Sequence, residues 1–281
     1  MRSASLFRFN RKLPENMRKV IDLLDLSGRV GLVTGGTGYI GRAICETLAE
    51  HGCRLVVIDR GTSSPEWQRL ADHLGTDVSY FEADLDDEKA TRAAVLRAAD
   101  EFGRLDVLIN NAAFVASNAL TGWATTFAEQ DVRTWRSALN VNLTAAFVVS
   151  QAAAPALAAS RRGSIINIGS IYGSLGPDWG LYAGTAMGNP AAYAASKGGL
   201  IQFTRWLATT LAPDIRVNSI SPGGVARGQP REFVARYEAR TPLRRMATEE
   251  DLKGVIALLA SDASAYITGQ DILVDGGWSA W

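Results

Sequence analysis

An apolar, strand-like run from Arg29 to Thr34 passes without a spacer into Gly35-Gly36-Thr37-Gly38-Tyr39-Ile40-Gly41, and a helical pattern then continues through Ala49. Few folds accommodate that order. A strand that turns on glycine straight into a helix opens a β-α-β unit, which calls for a parallel sheet and a crossover helix. Glycine lets the backbone turn tightly and approach a pyrophosphate, while the helix N-terminus presents unpaired N–H groups and the positive end of its dipole. Together they read as a dinucleotide-binding opening with Gly35, Thr37, Gly38, Tyr39 and Ile40 as cofactor contacts. The plainer reading of the glycines alone is a tight turn.

A second strand, Arg54 to Ile58, ends at Asp59, 21 positions beyond Gly38 (59 minus 38). At that distance an acidic side chain meets the adenosine ribose. A carboxylate there accepts from the ribose hydroxyls and repels a 2′-phosphate, which favours NAD over NADP. Arg60 follows at once and leaves NADP open, either by accommodating such a phosphate or by lying solvated.

Val78 to Ala83 reads as a third strand ending in Asp84-Leu85, and Leu105 to Ile109 as a fourth ending in Asn110-Asn111-Ala112-Ala113, with helical periodicity from Glu88 to Phe102 between them. A long helix follows near Val132 to Ser160. Strands at Ser164 to Ile168 and Ile215 to Ile220 flank a helix that runs to Leu211, and Ser221-Pro222-Gly223-Gly224 closes the second of them. A helix from Glu249 to Ala260 and a strand from Asp271 to Val274 complete the pattern. Such alternation predicts an α/β fold: one doubly wound, Rossmann-type domain over residues 28–281, its parallel sheet of about seven strands covered by helices on both faces. Residues 1–27 read as an N-terminal extension with a short amphipathic helix from Met17 to Leu26. The small residues after the fourth strand would let the backbone pass close to a cofactor, while Asn-Asn alone is also an ordinary turn signal.

Lys plus Arg equals Asp plus Glu, 29 against 29, so no global field recruits nucleic acid or an anionic membrane. Cys45 and Cys53 have neither metal-ligand spacing nor a disulfide framework, so no metal is expected and a reducing cytoplasm suits the chain. The basic start lacks the apolar core of an export signal, and alanine-rich Ala138 to Ala159 is interrupted by Asn140, Asn142, Gln151 and Pro155. No segment is expected to span a membrane.

Tyr193 and Lys197 stand four residues apart in a helical run and project from one face. An ammonium beside a phenol favours the phenolate and would bring a group of reference pKa about 10 toward neutrality, although ordinary helix residues also meet at this spacing. Asn142 sits mid-helix, where asparagine is an indifferent residue. Either it breaks the ladder and holds a water, or it is an exposed polar side chain. Ser170 follows its strand at the carboxyl end, where open α/β sheets bind ligands.

With these residues assembled, the sequence from Leu26 to Trp278 resembles the short-chain dehydrogenase/reductases. The resemblance rests on Thr34-Gly35-x-x-Gly38-x-x-Gly41, Asp59, Asp84-Leu85, Asn110-Asn111-Ala112, Asn142, Ser170, Tyr193-x-x-x-Lys197 and Pro222-Gly223. It implies a catalytic tetrad of Asn142, Ser170, Tyr193 and Lys197, and cofactor contacts at Asp84, Leu85, Asn111, Ala112, Ala113, Pro222, Gly223 and Val225. In that scheme Ser170 bonds the substrate oxygen and Tyr193 exchanges its proton. Lys197 lowers the tyrosine pKa and binds the nicotinamide ribose, Asn142 orders a water relay, and hydride passes between the adjacent carbon and the nicotinamide. Three positions depart from the family pattern. Tyr39 stands where glycine is usual, Ala113 replaces a glycine, and Arg227 replaces the threonine that commonly follows Pro-Gly and contacts the carboxamide.

Tyr193 lies 23 positions beyond Ser170 (193 minus 170), farther than is usual in the family, across Pro177-Asp178-Trp179-Gly180-Leu181-Tyr182 and Met187-Gly188-Asn189-Pro190. Such an insertion would shape the substrate pocket. Trp179 or Tyr182 is expected to stack on a sugar-like face, and Arg227 with Arg231 to receive a phosphate or carboxylate; equally, the arginines lie solvated or at a subunit contact. The insertion is similar to members linked to bacterial surface-sugar and nonulosonic-acid pathways, which implies a secondary alcohol on a polar, carbohydrate-like small molecule, with or without a phosphate. A ketoreductase for acyl-carrier or apolar ketones and a silent NAD-binding regulatory protein are the alternatives. The resemblance also implies a homodimer or homotetramer paired through the helices at 132–160 and 193–211.

Overall fold

The computed structural model describes residues 17–61, 65–114 and 120–281; most of the 1–27 extension lies outside the described residues. Seven strands, β1 (Val30–Thr34), β2 (Arg54–Asp59), β3 (Val78–Glu82), β4 (Val107–Asn110), β5 (Gly163–Ile168), β6 (Ile215–Pro222) and β7 (Asp271–Val274), form one sheet in the order β3-β2-β1-β4-β5-β6-β7. Every pair is parallel, as the alternation of strands and helices led us to expect. β1, β4 and β5 are buried along their whole length, which is why they read as continuous apolar runs rather than alternating ones.

Nine α-helices surround the sheet among the described residues: α1 (Val20–Leu24), α2 (Tyr39–Glu50), α3 (Pro65–Leu74), α4 (Glu88–Asp100), α5 (Val132–Leu139), α6 (Ala145–Ala159), α7 (Ala191–Leu211), α8 (Arg231–Arg240) and α9 (Lys253–Ala260). On one face Ile44 and Leu48 of α2 and Ile256 and Leu259 of α9 pack with Val33, Ile109 and Ile166. On the other, Val95 of α4, Val149 and Leu157 of α6 and Leu207 of α7 pack with Leu32, Leu108 and Ile165.

Three features differ from the sequence reading. The long helix near 132–160 is interrupted by a π-helical turn, Asn140–Thr144, between α5 and α6. Helices α3 and α8 were not foreseen; the first buries Trp67 and the second Phe233 and Tyr237. By length and composition Val132–Ala159 does qualify as a membrane span, despite its polar interruptions. Half of that stretch is buried, with α6 lying against α4 and the sheet, as the core helix of a globular domain would be.

The chain ahead of β1 is tied down by charge. Arg18 and Arg29 pair with Asp262 at 2.7 and 2.6 Å, and Leu26 is fully buried. At the other end Trp278 stacks on Tyr237, ring centroids 4.5 Å apart, while Trp281 is exposed.

Candidate active site

In a sheet of this order β1 and β4 are neighbours whose connections leave in opposite directions, and the crevice beyond their carboxyl ends is where such sheets bind ligands. A cleft of about 520 Å³ opens there. Every expected cofactor contact, from Gly35 to Val225, lines it, together with Ser170, Tyr193, Lys197 and Arg227. Trp179, Tyr182 and Arg231 are not among its walls.

The dinucleotide half of the cleft is built from backbone brought close. Gly35 has φ +66°, and a Cβ there would stand 2.7 Å from Ala112 Cα; one at Gly41 would stand 2.1 Å from the Gly35 carbonyl oxygen. Only glycine permits this approach of turn to helix. The side chain of Asn111 donates to the carbonyls of Thr34 and Gly35 at 3.0 and 2.9 Å, so it pins the turn. Asp59 Oδ2 accepts from the N–H and hydroxyl of Thr37 at 3.1 and 2.6 Å, and its Oδ1 from Arg60 N–H at 2.8 Å. A helix N-terminus behind a glycine turn, with a fixed carboxylate at the end of β2, fits a diphosphate and an adenosine ribose.

The reacting half is carried by β5 and α7. Ser170 is 5% exposed. Its Oγ accepts from Tyr172 N–H at 3.2 Å, and the residue shares the cleft with Tyr193. Gly173 lets this turn lie on α7, because a Cβ would meet Ile201 Cδ1 at 2.6 Å and the Lys197 backbone at 2.8 Å. Lys197, 3% exposed, donates from Nζ to the Ile168 carbonyl at 2.7 Å, 5.9 Å from the centroid of the Tyr193 ring.

Asn142 lies in the π-helical turn, buried beneath the cleft. Its Oδ1 accepts from Phe114 N–H at 2.6 Å and its Nδ2 donates to Ser196 Oγ at 2.9 Å. Ser196 in turn donates to the Tyr193 carbonyl at 2.8 Å. Asn142 does break the helix ladder, and the partners seen are protein groups that join the loop after β4 to the turn of α7 bearing Tyr193 and Lys197.

Burial pushes the Tyr193 phenol above its ordinary range, opposed by the Ser170 hydrogen bond and by the Arg227 charge. Burial also lowers Lys197, to about 8. The Lys197 ammonium turns to the Ile168 carbonyl, and the positive charge that opposes the rise of the Tyr193 phenol is that of Arg227.

The insertion between Ser170 and Tyr193 packs down onto α8. Trp179–Tyr182 form a 3-10 turn capped by Asp178, which pairs with Arg240 at 2.6 Å. Arg236 donates to the Leu181 and Ala183 carbonyls, and the Tyr182 ring lies 5.5 Å from that of Phe233. The arginines that grip the insertion are thus Arg236 and Arg240, which the sequence reading did not single out. The apolar spacing of Phe233, Val234 and Tyr237 was the available signal for α8. Arg231 is exposed at the start of α8, and Trp179 is largely exposed and meets Tyr182 at 5.9 Å. Also unforeseen is a buried chain in which Asn110 donates to Asn167 at 2.8 Å and Asn167 to Thr204 at 2.8 Å, linking β4 and β5 to α7.

Residues 37–279 match the family described as enoyl-(acyl carrier protein) reductase. The chain is 34% identical over 257 residues to cis-4-hydroxycyclohexanecarboxylate dehydrogenase of Sinomonas cyclohexanicum, covering 90% of this chain and 97% of the relative. It is 33% identical over 259 residues to 3-oxoacyl-[acyl-carrier-protein] reductase FabG of Escherichia coli K12, covering 90% and 98%. A candidate NAD(P)-dependent gluconate 5-dehydrogenase from Beutenbergia cavernae, solved with bound NADP at low occupancy, superposes with a TM-score of 0.80 at 34% identity, covering 92% of this chain and 100% of that one. With a dinucleotide cradle and a Ser-Tyr-Lys constellation in one cleft and relatives matched over nearly their whole length, the chain belongs to the short-chain dehydrogenase/reductase family, as an NAD(P)-dependent oxidoreductase of alcohols and ketones.

Proposed function

We propose that the chain interconverts a secondary alcohol and its ketone on a polar, carbohydrate-like substrate, with NAD as the preferred cofactor. The substrate class is supported by the relatives, and the insertion adds a polar cluster that packs beside Ser170, outside the cleft walls themselves. Tyr172 and Tyr182 join their hydroxyls at 2.8 Å. Asn189 is buried and keeps an Oδ1 with no hydrogen-bond partner among the described residues. Any of these groups that a substrate reached would reward a hydroxylated molecule and penalise an apolar one. Relatives named for hydroxycyclohexanecarboxylate and gluconate support the reading, since both substrates pair a carbinol with a carboxylate. The likeness of the insertion to surface-sugar enzymes rests on sequence alone. NAD preference rests on Asp59.

The nicotinamide cofactor, when bound, supplies the hydride acceptor or donor. The glycine turn, the start of α2 and Asp59 would hold its diphosphate and adenosine ribose, and Lys197 its nicotinamide ribose. Ser170 and Tyr193 fix the substrate oxygen between two hydroxyl groups. Tyr193 takes the alcohol proton in oxidation and returns it in reduction. Through Ser196, Asn142 holds the turn of α7 that sets Tyr193 and Lys197 relative to each other.

A second reading, reduction of acyl-carrier ketones, is favoured by the likeness to FabG. Initial rates on sugar acids, sugar phosphates, neutral polyols, apolar ketones and β-ketoacyl thioesters, each with NAD(H) and NADP(H), separate the two. We expect the highest kcat/KM on a hydroxylated, polar compound with NAD(H); a preference for the thioester or the apolar ketone contradicts the proposal.

A further inference from the structure

Two of the positions at which the sequence departs from the family pattern, Tyr39 and Arg227, meet in space. The Arg227 guanidinium carbon lies 5.1 Å from the centroid of the Tyr39 ring, a cation–π contact. They come from opposite walls of the cleft: Tyr39 is the first residue of α2, directly after the glycine turn, and Arg227 follows β6. Both line the cleft. We propose that Tyr39 and Arg227 form a clasp across the cofactor cleft, in which the guanidinium bonds the diphosphate of the dinucleotide and the tyrosine ring holds it in place to do so.

The surroundings suit that role. The Arg227 backbone is fixed, its N–H donating to Gln229 Oε1 at 2.6 Å while Gln229 Nε2 donates to the Val225 carbonyl at 2.8 Å. Its side chain is freer, 31% exposed and paired with Glu249 at 3.7 Å, longer than a hydrogen bond. A charge-assisted, forked bond to a diphosphate is the stronger alternative. The ring contact at an exposed site is weak enough to part as cofactor enters and leaves. The start of α2 supplies N–H groups and a positive dipole end for the same anion, so the guanidinium adds charge where the cradle already gathers it. This placement moves Arg227 from the substrate's anion to the cofactor's.

The test is binding of NADH and of ADP-ribose to the full chain, by fluorescence titration and calorimetry. Arg227→Ala is expected to weaken both ligands about tenfold, with the deficit shrinking at high salt. Arg227→Lys recovers part of it and Tyr39→Phe keeps wild-type affinity. Tyr39→Ala loses several-fold alone and little more when added to Arg227→Ala, because the pair acts as a unit. Unaltered thermal unfolding of the variants shows that the fold is kept. Wild-type affinity for both ligands in Arg227→Ala overturns the clasp, as does full additivity of the two alanine substitutions. The clasp rests on the cleft's being the dinucleotide site: a wild-type chain that takes up neither ligand overturns both, whereas undiminished binding in Arg227→Ala overturns the clasp alone.

Discussion

Lys197 keeps an ammonium inside the protein at a cost to stability. Burial brings it from 10.5 to about 8, so the folded chain loses this proton well before the unfolded chain does. Between pH 8 and 10.5 the unfolded state binds more protons, and stability rises with pH across that window; below it the penalty is full, about 3 kcal/mol. Lys197→Met, which leaves the Ile168 carbonyl without its donor, should still stabilise the cofactor-free protein by roughly 1–2 kcal/mol at pH 7, by chemical denaturation, and progressively less toward pH 10.5. The same variant should lose turnover. At Asp59, replacement by Ala should raise the ratio of NADP to NAD kcat/KM about tenfold by removing the charge that opposes a 2′-phosphate; an unchanged ratio denies Asp59 that role. That Tyr193, Lys197 and Ser170 gather in one cleft was legible because their types and spacing suggest chemistry. The chain of Asn110, Asn167 and Thr204 was not, because an asparagine at a strand end reads equally as a turn residue.

At the level of elements, the π-helical turn shows why asparagine belongs in mid-helix. A helix that widens at Asn140–Thr144 frees Asn142 to join the loop after β4 to α7. Asn142→Ala leaves the part-buried Phe114 N–H without its acceptor and the Ser196 hydroxyl without its donor, so we expect a loss of about 1–3 kcal/mol in stability. Turnover should fall about tenfold or more, with NADH binding nearly unchanged, since the side chain acts through the register of Tyr193 and Lys197. Stability and kcat both at wild-type level would show that the bridge is dispensable. Composition concealed α8, where arginines surround the two buried aromatic residues that hold it in place. The insertion was legible as an insertion, but its packing was not. Its grip depends on Arg236 and Arg240, which reach it from 53 to 62 positions away.

For the whole molecule, the sheet was legible because strands covered on both faces must be apolar throughout, and the glycine turn located its ligand-binding edge. A span-like helix at 132–159 illustrates the limit: inside a core and inside a bilayer the same composition serves. The outer face of α6 and α7 carries Phe147 and Trp206, 43% and 55% exposed, linked through Phe203 at centroid distances of 6.0 and 6.5 Å. An aromatic stripe of this kind on the helices expected to pair between subunits predicts a homo-oligomer that Trp206→Glu dissociates, as read by sedimentation velocity; a monomeric parent chain contradicts it. The central claim is that hydride exchange in this cleft depends on a proton held by Tyr193. Tyr193→Phe, assayed on the best substrate of the panel while NADH binding is followed separately, tests it most directly. We predict cofactor affinity close to that of the parent and turnover lower by about 10²–10⁴-fold; full turnover by a variant that binds NADH normally would contradict the account.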